Sequence, residues 1–102
     1  MITNVGLTLE QVVVQAEGNV VSDMDGDKVM LNVEKGKYYN LGAIGGRIWD
    51  AIGSPISIRH LVLILMAEYA VDQAQCEEHV LSFLDNLHAE GLIYATESGL
   101  QQ

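Results

Sequence analysis

The sequence predicts an α+β domain, a small antiparallel three-stranded sheet followed by three helices. Two features carry that expectation. The first half is valine-rich and punctuated by glycine: Gln11 to Ala16 reads QVVVQA, and the turn pairs Asp25-Gly26 and Lys35-Gly36 follow. The second half instead repeats apolar residues at helical spacings of three and four. At 102 residues and 49% hydrophobic content, the chain is long enough for one packed core and too short for two. A single domain over 1–102 is expected, with its core at about 20–93, an N-terminal strand segment at 11–16 and a polar tail at 96–102.

The elements follow in order. Glu17-Gly18-Asn19 turns the chain into Val20-Val21-Ser22-Asp23, and Asp25-Gly26 is a hairpin signal that fits a two- or a three-residue loop. Val33-Glu34-Lys35-Gly36 suits a three-residue hairpin with Gly36 left-handed. That register sets Leu31 opposite Tyr39 and Asn32 opposite Tyr38, with Val29, Leu31, Tyr39 and Leu41 on the core face. Met30, Asn32, Tyr38 and Asn40 then take the other face. In KGKYYNLG, residues 35–42, the adjacent tyrosines must point to opposite sides of the strand.

Asn40 is a good N-cap for a first helix running through Gly42 to about Ile52, with Ile44, Ile48, Ala51 and Ile52 as its apolar stripe and Trp49 alongside. Gly42, Gly45 and Gly46 are poor helix formers and suggest close backbone approach to the sheet. A second helix starts near Ser57, and its Leu61 to Met66 run is apolar nearly all round. Asp72-x-x-Gln75 opens a third helix to about Glu90, and Gly91 ends it. Leu92-Ile93-Tyr94 extends briefly beyond.

Charge narrows the function classes. Fourteen Asp and Glu against five Lys and Arg give a net charge of −9. A nucleic-acid binder needs clustered cations to displace phosphate counterions. Small-sheet, three-helix domains include winged helix-turn-helix DNA binders, so a winged-helix transcription regulator is the alternative of another class, and the charge disfavours it. The acidic surface suits a basic or neutral partner such as a peptide. No apolar run is long enough to span a membrane, and MITNVGLTLEQ has no signal-peptide pattern, so a cytoplasmic protein is expected.

No catalytic motif, cofactor fingerprint or metal site is expected. Asp23, Asp25 and Asp27 with Glu34 nearly match calcium-loop spacing, but Lys28 stands where that loop needs glycine, and the following residues are strand-like. His60, His79 and His88 are too far apart to form an evident metal cluster with Cys76. Cys76, the only cysteine, has acidic neighbours that raise a thiol pKa, and it suits a packing role. A binding module, not an enzyme, is the expectation.

The hairpin Asp27 to Gly42 with its E-x-G-x-Y-Y-x-L pattern, then Gly45-Gly46-Arg47-Ile48-Trp49, resembles the PqqD family. The later residues Glu68-Tyr69, Val71-Asp72, Val80-x-x-Phe83-Leu84-x-x-Leu87 and Gly91-Leu92 resemble it as well. The resemblance covers about Val20 to Ile93. It implies a winged helix-turn-helix-like recognition element that binds the leader of a ribosomally made precursor peptide as an added strand. The stand-alone length is most similar to the versions that serve lasso peptides. The partners implied are the precursor leader, a leader-removing cysteine protease and, with it, a macrolactam synthetase. A leader-binding chaperone for a radical SAM or other peptide-modifying enzyme is the alternative.

A sheet edge offers unpaired N–H and C=O groups to such a strand. The expected leader-binding residues are therefore Lys37, Tyr38, Tyr39, Asn40 and Leu41 on the edge, with Val80, Leu81, Phe83, Leu84 and Leu87 of the third helix as an apolar wall. Glu77 and Asp85 would steer a cationic leader. The same helical residues also fit a plain core face that takes Val80, Leu84 and Leu87 and leaves part of Phe83 or Leu81 to line a groove.

Overall fold

A computed structural model describes residues 6–96. Strands β1 (Val12–Gln15), β2 (Asn19–Met24), β3 (Asp27–Asn32) and β4 (Lys37–Leu41) precede helix α1 (Gly42–Ala51). A short strand β5 (Ile56–Ser57), helices α2 (Ile58–Glu68) and α3 (Gln73–Ala89), and strand β6 (Ile93–Thr96) follow among the described residues. The strands form two antiparallel three-stranded sheets, in the orders β5-β1-β6 and β2-β3-β4. The α+β class and the three helices are as expected, and the hairpin sheet β2-β3-β4 is the wing. The second sheet has no counterpart in the local sequence pattern, because it pairs Val12 with Thr96 and Val13 with Ile56 across long loops. Of the expected polar tail only Thr96 is described, as the end of β6; the rest lies outside the described residues. Among those residues no helix is long and apolar enough to cross a membrane.

Helix ends follow local chemistry. Ser57 caps α2 by accepting the His60 N–H at 3.1 Å, and Asp72 caps α3 by accepting the Gln75 N–H at 3.1 Å. Gly91 is left-handed, and the Gly91 and Leu92 N–H groups bond the His88 and Leu87 carbonyls at 3.0 and 2.9 Å, a Schellman closure. At α1 the flanking residue is Leu41, while the Asn40 side chain accepts the Gly42 N–H at 2.9 Å. Asn40 thus organises the entrance from one residue further back than expected.

The hairpins set the faces. Asp25 and Gly26 both have positive φ and form a two-residue loop between Met24 and Asp27. Between β3 and β4 the loop is four residues long: Asn32 pairs with Lys37, Leu31 with Tyr38 and Met30 with Tyr39. This corrects the expected register by one residue, which turns every β3 side chain over. Met30 and Asn32 are buried, whereas Val29 and Leu31 lie on the outer face beside the exposed Val20, Met24 and Tyr38. Tyr39 and Leu41 stay on the inner face, as expected.

Asn32 supplies the reason. Its Nδ2 donates to Asn19 Oδ1 at 2.8 Å and its Oδ1 accepts the Lys35 N–H at 2.8 Å, so the buried amide is satisfied only with this loop. The Gly36 N–H, with Gly36 left-handed, bonds the Asn32 carbonyl at 2.8 Å and closes the longer turn. Asp23, the first of the calcium-like acids, is paired with Lys28, which also reaches Asp50.

Met30, Ile52, Ile58, Leu61, Leu84 and Leu92 are fully buried and join the hairpin sheet to the helices. In α1 the buried side chains are Ile48 and Trp49, followed by Ile52, while Ile44 turns outward. Gly46 explains the outward shift: a Cβ there would lie 2.7 Å from the Lys28 Cβ, so α1 approaches β3 through its glycine face. Leu84 lies at the centre of this packing, so Leu84→Ala should lower unfolding stability by about 3 kcal/mol in urea titrations. Leu63→Ala, at an exposed position, should change it by less than about 0.5 kcal/mol.

Candidate functional site

Among the described residues, strand β4 pairs with β3 on one side and with no strand on the other. Its outer edge therefore keeps alternate backbone N–H and C=O groups free. Tyr38 projects from the outer sheet face and is 74% exposed. Tyr39 points inward, half-buried, and its hydroxyl donates to Glu90 Oε1 at 3.0 Å. Lys37 reaches the same carboxylate at 3.4 Å, and Lys35 donates to the Glu90 carbonyl. Glu90 therefore ties the end of α3 to the hairpin that carries β4.

This hub shifts its members in opposite directions. The Tyr39 hydroxyl, then Lys37, hold the Glu90 carboxyl below its ordinary value. Burial, then Glu90, push the Tyr39 phenol up. Glu90 is the neighbour of the edge strand that sequence reasoning missed. An acid at a helix C-terminus opposes the helix dipole, and that conflict was the available signal for a nearby cation partner.

Helix α3 divides its residues among three directions. Cys76, Val80, Leu84 and Leu87 are buried in the core, as is Leu41 of the edge strand. Phe83 is half-buried on the flank facing α1, where a Cβ on Gly45 would come within 2.9 Å of its ring. Asp85 faces the N-terminal segment: its Oδ1 accepts the Leu7 N–H at 2.8 Å. At 100° per residue, Phe83 and Asp85 lie about 200° apart around the helix. Leu81 and Glu77 fall on the Asp85 side, and Glu77 accepts the Gln73 side-chain amide at 2.9 Å.

The structure thus brings together Lys37, Tyr39, Leu41 and Phe83, with Glu90 and Gly45 added. Tyr38 and Asn40 sit on the same strand but point to its outer face. Val80, Leu84 and Leu87 form the floor beneath the helix as core residues. Glu77, Leu81 and Asp85 occupy the opposite flank.

All five cations are engaged. Lys28 pairs with Asp23 and Asp50, Lys35 and Lys37 with Glu90, Arg47 with Glu68 in a two-pronged bond at 2.9 and 2.7 Å, and Arg59 with Glu10. A chain with 14 acids and no unengaged cation has little to offer a polyanion.

The family model described as coenzyme PQQ synthesis protein D (PqqD) matches residues 27–93, more than half of the chain. This chain belongs to the PqqD family. Within this PqqD-family chain the match runs from the start of β3 to the start of β6, so it includes the edge strand, α1 and all of α3. Among solved structures, TbiB1 in complex with the TbiA(beta) leader peptide is similar, with a TM-score of 0.70 and 27% identity. The likeness covers 87% of this chain and 99% of that one. Lasso peptide synthetase B1 complexed with the leader peptide shares the fold with a TM-score of 0.70 at 20% identity, over 80% of this chain and 96% of that one. No curated protein sequence matches.

The Glu90 hub makes a pH prediction. A carboxyl whose pKa is lowered in the folded state stabilises the fold above its ordinary range, and that stability is lost as the pH falls through the lowered pKa. Melting temperatures of the wild type should therefore drop on acidification below about pH 4.5, the ordinary carboxyl value. Glu90→Gln should start lower at neutral pH and fall less steeply; identical slopes would remove Glu90 as a contributor.

Proposed function

We propose that this PqqD-family protein is a non-catalytic adaptor that binds the leader segment of a ribosomally synthesised precursor peptide, of the lasso class. The leader adds a strand to β4 and lies in the groove between that strand and α3. The adaptor then presents the precursor to a leader-removing cysteine protease and a macrolactam synthetase.

The observation that carries this reading is the unpaired edge of β4 with α3 beside it, in a chain that covers almost the whole of a leader-bound relative at 27% identity. Backbone pairing supplies affinity that does not depend on side chains, and neighbouring pockets supply selectivity. Phe83 is the apolar group best placed on the groove, because the core already uses Val80, Leu84 and Leu87. Glu90 is shared by Tyr39 and two lysines, so its charge is largely spent within the fold. Selection along this groove therefore rests on shape and backbone pairing more than on charge.

Fluorescence anisotropy with labelled lasso-precursor leader peptides, the TbiA(beta) leader first, tests the reading. Binding at about micromolar or tighter is expected for strand addition with two or three side-chain contacts. No binding at tens of micromolar would sink it. Phe83→Ala and Gly45→Ala should each weaken binding roughly tenfold, the first by removing the wall and the second by displacing the ring. Leu81→Ala, on the far flank, should leave it unchanged. N-methylation of the peptide backbone should be damaging at alternate positions only, since every second N–H faces β4.

A further inference from the structure

The flank of α3 that faces away from β4 is held by the N-terminal segment. Residues 6–11 are anchored at the start of α2, where the Leu9 and Gln11 carbonyls accept the Arg59 and Ile58 N–H groups, both at 2.9 Å. A turn closes this anchorage: the Thr8 N–H donates to Gln11 Oε1 at 2.8 Å and the Gln11 N–H to the Thr8 carbonyl at 3.1 Å. From there the segment reaches the middle of α3. The Leu7 N–H donates to Asp85 Oδ1 at 2.8 Å, and the Leu7 side chain is buried. Gly6 lies so close that a Cβ there would come within 2.6 Å of Asp85 Oδ2. Towards the end of α3 the contact gives way to a hollow of about 470 Å³ in front of Asn86, His88 and Ala89. The grip on α3 is therefore concentrated at Leu7 and Asp85.

The place of that grip matters for the groove. Phe83 and Asp85 stand about 200° apart around α3, so the segment backs the helix directly behind the wall that faces the groove. On the β4 side the hairpin holds α3 at its C-terminal end, through Glu90. A peptide entering between β4 and α3 pushes the helix outward, onto Leu7. A wall that yields loses contacts with the peptide, whereas a wall already backed needs no further ordering when the peptide arrives.

We infer that Asp85 is a positioning residue for leader binding, and that its bond to the Leu7 amide backs α3 against the incoming strand. Closure of the N-terminal segment and occupation of the groove then favour each other. The inference rests on the leader-binding reading and adds a residue that lies outside the groove. Asp85 acts through the placing of Phe83 and not by attracting a cationic peptide. Coupling between two sites is reciprocal: whatever factor the closed segment adds to leader affinity, bound leader adds to the stability of the closed segment.

Amide hydrogen exchange and anisotropy on the full chain, with the TbiA(beta) leader peptide as probe, test this coupling. Saturating leader should slow exchange of the Leu7 amide about fivefold, although that amide lies on the far flank of α3. Asp85→Leu, which removes the acceptor, should weaken leader binding by the same factor. Asp85→Asn keeps a carbonyl oxygen for the Leu7 N–H and should bind within about twofold of the wild type. A steering role would instead make the two variants equally harmful, with a loss that fades as salt is added. Leader binding with an unchanged Leu7 amide, or equal losses in the two variants, would overturn the positioning role and leave the adaptor reading intact. No binding by the wild type would remove both.

Discussion

The buried amide of Asn32 fixes the geometry on which the rest of the wing depends. A polar side chain in a core is tolerated only with its partners present, and Asn32 finds them in Asn19 and the Lys35 backbone. Those bonds require four residues in the β3–β4 loop. The loop length sets the register, and the register decides which side chains face α1 and α3. Met30, Tyr39 and Leu41 go inward together, and Tyr38 is left on the outer face. A three-residue loop would have buried Val29 and Leu31 and left an asparagine outside.

From that register follows the division of labour at the edge. Tyr39 spends its ring on the inner face and its hydroxyl on Glu90, so it braces β4 against α3 without closing the free edge. The core consumes most of the apolar stripe of α3. What remains for a partner is the backbone of β4, the half-buried Phe83 ring and the approach made possible by Gly45. Close packing explains why so few side chains are left over: a residue filling the core cannot also wall a groove.

Much of this was legible in the sequence. The α3 caps, the Ser57 cap, the Asp25-Gly26 turn and the inward Tyr39 all follow from local rules, and local rules apply where partners are within four residues. The edge strand Lys37 to Leu41 was legible for the same reason. The β1–β6 pairing was not, because Val12 and Thr96 carry no local mark of each other. The β3 register was misread because a loop of three and a loop of four suit the same turn residues, and only the distant Asn19 separates them. In the site, helical periodicity identified the apolar residues of α3 without saying which flank met β4. Phe83 and Asp85, two residues apart, were both assigned to leader binding although a helix sends them in opposite directions. Glu90 was overlooked because its partners lie across the fold in the hairpin.

The central claim is that β4 accepts a peptide as its next strand. Amide hydrogen exchange of the full chain, with and without a lasso-precursor leader peptide such as the TbiA(beta) leader, tests it most directly. Strand addition predicts that amides of Lys37 to Leu41 gain protection in an alternating pattern, those facing the free edge slowing by the largest factor. Peptide binding that leaves the β4 amides exchanging at their original rates would contradict it.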